Sequence, residues 1–205
     1  FGGTVNSKYL ITWNIGDDAF DTDMGYRGRV QFALVVKGAN KVGQTGRGGG
    51  VADSAMETDG GKSPDESQPY ALSQWRNLTI IGTKGTGAFT DPGITIQDNA
   101  RPQIYHSIVT GTGAAAVTIE DLGAAIDSAD GWDTAFDAYP GAGDATLYPA
   151  QQQGFQTELA DNLFADIGGA ISTGIDIMVG KDNQDLDANI PLRGLTRQPA
   201  AGYTE

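Results

Sequence analysis

Short stretches of β-branched and aromatic residues, each closed by glycine, set the rhythm of this chain. Val5 to Trp13, Gln31 to Val36, Asn77 to Ile81, Gly93 to Ile96, Ile104 to Val109 and Ala116 to Ile119 read as strands. Three units share one order of strand, glycine turn, small residue and apolar residue. They run from Tyr9 to Phe20, from Leu78 to Phe89 and from Ile104 to Val117. Degenerate repeats of this kind, with no helical pattern between them, predict stacked coils of a β-solenoid. A β-sandwich also has short strands at regular spacing, but it does not require the order within each unit to recur.

Two regions depart from the rhythm. Residues 39–70 are poor in apolar side chains and contain Gly48, Gly49 and Gly50, which predicts an extended loop leaving the solenoid. Residues 121–205 predict an irregular or capping region. Within it, Gln151 to Ile167 is the best helix candidate, since Phe155, Leu159, Leu163 and Ile167 recur every fourth position. The expected architecture is therefore all-β, with a loop insertion and a short C-terminal helix. A single domain covers 1–205, and an opening of Phe1-Gly2-Gly3 at a strand edge suggests a processed or longer parent protein.

Composition narrows the partners. The 205 residues carry 26 acids against 13 bases, a net charge of −13, which disfavours nucleic acid and anionic membranes. No apolar run approaches the roughly 18 residues that span a bilayer. With no cysteine and one histidine, disulfides and thiolate or multi-histidine metal sites are excluded. His106 lies in an apolar stretch without a Gly-x-Ser-x-Gly elbow, so it reads as structural rather than as part of a triad.

The densest chemistry is Gly16-Asp17-Asp18-Ala19-Phe20-Asp21-Thr22-Asp23-Met24-Gly25-Tyr26-Arg27-Gly28. Asp17, Asp18, Asp21 and Asp23 are hard oxygen donors at close spacing, suited to Ca²⁺, although the offsets are not those of an EF-hand loop. Like charges at this density need a cation, water or an arginine, and Arg27 and Arg29 stand near enough in sequence to serve instead. The alternatives are a Ca²⁺ site and an arginine-neutralised corner.

This stretch, with the preceding Phe1-Gly2-Gly3-Thr4-Val5-Asn6, the following Gln31-Phe32, and Arg101-Pro102-Gln103-Ile104-Tyr105-His106-Ser107-Ile108, resembles a group of secreted bacterial right-handed parallel β-helix proteins. The resemblance covers about residues 1–36 and 76–120 and implies a solenoid fold, export and an extracellular or outer-surface location. It implies no established activity. Two function classes follow. One is a non-catalytic surface module for binding carbohydrate or matrix, or for end-to-end assembly, stabilised by Ca²⁺. The other is a Ca²⁺-assisted polysaccharide lyase or another carbohydrate-active enzyme, drawing on the four aspartates, Arg27, Arg29 and Lys84. Trp13, Tyr26, Trp75, Trp132 and Tyr139 could stack on sugar rings, but such aromatics are also ordinary core content. Without a compelling catalytic constellation the sequence favours the binding class.

Overall fold

The computed structural model describes residues 2–37, 54–60, 71–82, 92–98, 100–119, 157–170, 172–173 and 182–186. The described residues form thirteen strands: β1 (Ser7–Trp13), β2 (Phe20–Thr22), β3 (Arg29–Val36), β4 (Met56–Asp59), β5 (Gln74–Ile81), β6 (Ile94–Gln97), β7 (Gln103–Tyr105), β8 (Ile108–Thr110), β9 (Val117–Ile119), β10 (Glu158–Ala160), β11 (Leu163–Ala165), β12 (Ser172–Thr173) and β13 (Gln184–Leu186). They form an 8-stranded sheet (β1, β3, β5, β7, β8, β10, β11, β13) and a 5-stranded sheet (β12-β9-β6-β4-β2). Every strand pairing is parallel. The chain alternates between the two sheets, adding one rung to each per coil, so this is a parallel β-helix.

Side-chain alternation explains why the coils stack. In the large sheet Val30, Trp75, Ile104 and Leu159 form one buried inward column, and Val35, Ile80, Val109 and Phe164 another. In the small sheet Met56, Ile94 and Val117 align behind half-buried Phe20. Phe20 reaches across the interior to Trp75, with ring centroids 5.4 Å apart. These columns belong to one core cluster spanning both sheets.

Each coil bends the large sheet at one position, and the register shows that it is always the same one. Tyr9, Phe32, Asn77, His106, Asp161 and Asp182 have φ of 62, 59, 57, 52, 56 and 53°. The flanking pairs Gln31↔Arg76 and Ala33↔Leu78 put Phe32 level with Asn77, and Arg76↔Tyr105 with Thr79↔Ile108 put Asn77 level with His106. A left-handed residue breaks the local hydrogen-bond ladder and costs roughly 1–2 kcal/mol for most side chains, so the freed amides need other acceptors. The next inward position supplies them. Ser107 Oγ accepts from Leu78 N–H (3.2 Å), Asn162 Oδ1 from Ser107 N–H (2.9 Å), and Asn183 Oδ1 from Asn162 N–H (3.0 Å). Each polar side chain thus caps the equivalent residue of the preceding coil. The Asn162 and Asn183 amides also donate to Ile104 O and Leu159 O.

Several expectations need correction. Gln151 to Ile167 is not a helix where it is described, since residues 158–160 and 163–165 form β10 and β11. Asp161 and Asp166 both take positive φ, which a helix excludes. Leu159 points inward on β10 and Leu163 outward on β11, so their four-residue spacing spans a bend rather than a helical turn. Residues 39–70 are not an uninterrupted loop, because β4 supplies the second rung of the small sheet. The run from Ile104 to Val109 is two strands hinged at His106, whose side chain is exposed at the bend, with Nδ1 3.8 Å from Asp161 Oδ2. The remainder of the predicted loop, Phe155, and most of the expected capping region lie outside the described residues.

Asn162→Leu keeps the volume but strands the Ser107 amide and the Ile104 carbonyl. It is expected to destabilise the protein by about 2–4 kcal/mol, since each buried polar group left unmade costs roughly 1–3 kcal/mol. Denaturant unfolding measures this.

Candidate functional site

The small sheet places a repeated tetrad on successive rungs. Phe20-Asp21-Thr22-Asp23 lies beside Met56-Glu57-Thr58-Asp59, with Phe20↔Met56, Asp21↔Glu57 and Thr22↔Thr58 in register. The alternation turns Phe20, Met56, Thr22 and Thr58 inward and leaves the acids on the outer side. The third rung continues the pattern with Thr95 beside Glu57 and Gln97 beside Asp59, followed by Asp98 in the turn. The result is an acidic ridge of Asp21, Asp23, Glu57, Asp59 and Asp98 drawn from three coils.

Asp59 is the most constrained member, only 6% exposed. Burial pushes its carboxyl up to about 6 from 3.8; the negative charges of Asp98, Asp23 and Asp21 push the same way, and a hydrogen bond from Gln97 opposes them. The Gln97 amide also donates to Glu57 Oε1 at 3.0 Å, tying the second rung to the third. One oxygen each of Asp23 and Asp59, the Oδ1 atoms, is buried without a hydrogen-bond partner. A buried carboxylate oxygen without a donor is costly, and the two stand at equivalent positions of adjacent rungs.

The four aspartates singled out in the sequence are divided by this geometry. Asp21 and Asp23 join the ridge. Asp17 and Asp18 precede β2, at the other end of the rung, where Lys37 is buried at 2% exposure. Its Nζ donates to Asp17 O (3.2 Å) and Ser54 O (3.3 Å), pinning that corner through backbone carbonyls. Among the described residues, no three His, Asp or Glu side chains converge as a ready metal cage. The two orphaned oxygens are hard donors of the type that Ca²⁺ takes.

The turn after the small sheet carries cationic side chains. Leu72 N–H donates to Tyr26 O and Arg101 N–H to Ala71 O, so Arg27, Leu72 and Arg101 occupy one position in successive coils. Arg101 is fully buried and Arg27 half-buried, whereas Arg29 is exposed on β3. Sequence reasoning missed Glu57, Asp59, Asp98 and Arg101. The signal was present for the first two, because Met-Glu-Thr-Asp-Gly repeats the pattern of Phe-Asp-Thr-Asp-Met-Gly inside the segment read as loop. Of the proposed aromatics, Trp75 is core, Tyr26 is half-buried with its hydroxyl donating to Val5 O at 2.9 Å, and Trp13 is 62% exposed. Lys84, Trp132 and Tyr139 lie outside the described residues.

A family model described as the pectate-lyase-like β-helix domain matches residues 1–138, which include both acidic tetrads and the first four coils. The chain belongs to this family. Membership in the pectate-lyase-like β-helix family accounts for the stack and its two sheets, but fold alone assigns no reaction. None of the curated proteins and none of the solved structures matched the chain. Among the described residues no helix is long and apolar enough to cross a membrane.

Asp59 gives a pH signature of defined sign. Its folded-state pKa is raised, so its contribution to stability is fully present below about pH 4 and is lost as pH rises through about 6. In chelator-containing buffer the melting temperature should therefore fall between pH 4 and 7, and Asp59→Asn should flatten that slope. An unchanged slope in the variant would contradict the assignment.

Proposed function

We propose that this pectate-lyase-like β-helix is an exported or cell-surface module that binds carbohydrate or matrix without cleaving it, and that Ca²⁺ on the acidic ridge stabilises it. The observation that carries the reading is the pair of buried, unpartnered oxygens on Asp23 and Asp59 at adjacent rungs. A divalent cation there would offset the mutual repulsion of Asp21, Asp23, Asp59 and Asp98 and join coils one to three. The remaining coordination positions would be open to water or to ligand oxygens, which suits hydroxyl- or carboxylate-bearing sugars. The ridge stands on rungs locked by the core, so it is preorganised rather than assembled on binding.

A second reading, a Ca²⁺-assisted polysaccharide lyase, draws on one further observation. Arg27 and Arg101 share a turn column next to the ridge, so cationic and anionic side chains occur in one neighbourhood. Absorbance from unsaturated sugar on incubation with pectic, alginate or chondroitin-type polymers would support it, with loss in Arg27→Ala.

For the binding module, melts in Ca²⁺ and in chelator decide. At a Ca²⁺ concentration 100-fold above the Kd, binding to the folded state should add about 2.7 kcal/mol. The paired substitution Asp23→Asn with Asp59→Asn should abolish the increment, whereas Asp17→Asn with Asp18→Asn should retain it. Equal melting temperatures in Ca²⁺ and chelator would sink the cation site.

A further inference from the structure

The two ends of the stack are finished differently. Gly3 bridges Tyr26 and Ser7 pairs with Val30, so residues 3–25 make up the first coil. Its strands, β1 and β2, are the terminal strands of the large and small sheets, and among the described residues nothing pairs with their other edges. The large hydrophobic side chains most exposed among the described residues gather in this coil: Val5, Tyr9, Ile11, Trp13 and Met24, with Ile11 at 71% and Trp13 at 62%. Inward Leu10 and Phe20 are only half-buried, whereas Ala33 and Met56, their register partners one coil further in, are 3% and 0% exposed. The core is open at this end.

At the other end the inward column of Val35, Ile80, Val109 and Phe164 closes on Asp185 of β13. An inward charge on a terminal rung discourages another strand from adding. β1 has no inward charge, and its one outward charge, Lys8, stands ahead of the Tyr9 bend, clear of residues 10–13. In a parallel strand alternate residues turn both N–H and C=O to the same neighbour. The Asn14 amide donates to Val36 O on β3, so the backbone groups of Ile11 and Trp13 face the free edge.

We propose that two copies of this chain pack first coil against first coil about a two-fold axis at Thr12, their β1 edges pairing antiparallel into one continuous large sheet. The edge groups of Ile11 then meet those of Trp13 of the second copy. Thr12 faces Thr12 on the inner side, and Ile11 faces Trp13 on the outer side. A Thr–Thr pair and a β-branched–aromatic pair are both favourable across strands. Charge fits the same arrangement. In a chain of net charge −13, residues 2–16 contain Lys8 and no acid, and β1, β3 and β5 together carry Lys8, Arg29 and Arg76 and no acid. Counted equally from the axis, exposed Asp17 of one copy falls opposite Ser7, beside exposed Lys8, of the other, so acids do not face acids. The exposed apolar area of the coil is comparable with the about 800 Å² per partner that stable interfaces bury. The contact is isologous and closes at two copies. It needs no metal and no ligand.

Sedimentation velocity on the 205-residue protein in chelator tests this. The expected result is a reversible equilibrium, set by concentration, between the 21.4 kDa chain and its dimer, with nothing larger. Ile11→Lys with Trp13→Lys should raise the dimer dissociation constant about hundredfold or more. Both side chains are exposed, so the circular dichroism spectrum should be unchanged. Thr12→Cys puts a single thiol into a cysteine-free chain. Opposed residues of a non-hydrogen-bonded antiparallel pair have Cα atoms about 4.5 Å apart, within disulfide reach. Mild oxidation should therefore link Thr12→Cys into a covalent dimer much faster than Gln31→Cys, which is exposed on the second coil. A monomer at every concentration, a dimer that persists in the double-lysine variant, a ladder of larger oligomers, or Thr12→Cys linking no faster than Gln31→Cys each overturns the proposal.

Discussion

Everything in this molecule depends on successive coils bending at the same place. The stack is held by parallel ladders and by columns of like side chains, and both survive only if each coil presents the same outline to the next. The shared bend is a left-handed residue, an unfavourable conformation for the Tyr and Phe side chains that adopt it and a milder one for Asn, His and Asp. It is tolerated because the neighbouring rungs over-determine it: the strands on either side are paired, and in the later coils an inward Ser or Asn caps the amide that the bend releases. Gly82 and Gly111 show how tight the fit is, since a Cβ on Gly82 would run into Gly111 O.

The same register that builds the core sorts the charges. Outward positions at equivalent places in successive coils lie about one strand spacing apart, so a residue type that recurs in the repeat becomes a line on the surface. The acid-Thr-Asp tetrad becomes the ridge on the small sheet, and the absence of acids from β1, β3 and β5 leaves a basic strip on the large one. Neither can be described by net charge, which averages over both. Burial then separates members of the ridge: Asp59, largely out of water and facing other carboxylates, holds its proton far more strongly than a free aspartate.

Parts of this were legible along the chain. Trp75, Ile80, Ile104 and Val109 announce inward columns through β-branched and aromatic content, and the glycine-closed strands announce a solenoid. The repeat was harder to align. Tyr9, Leu78 and Ile104 look equivalent by eye, yet the structure aligns Tyr9 with Asn77 and His106, because conformation rather than residue type marks the bend. Insertions of unequal length between coils hid β4, and three-residue strands are too short to show alternation. Leu159 and Leu163 mimicked a helix for that reason, while inward Phe164 directly after Leu163 went unread. Asp59 and Asp98 drew no attention as isolated acids in polar segments.

The sequence by itself determined the class of fold, the exclusion of thiolate and multi-histidine chemistry, and the presence of an acidic motif at Asp17 to Asp23. These depend on composition and on contacts near in the chain. Which acids meet, and which cations share a face, was decided only by tertiary structure. Asp23 comes to lie beside Asp59, and Lys8 falls in one column with Arg76 across Gln31, through coil-to-coil register, and in a solenoid that register is set by the bends and by core columns contributed from distant parts of the chain.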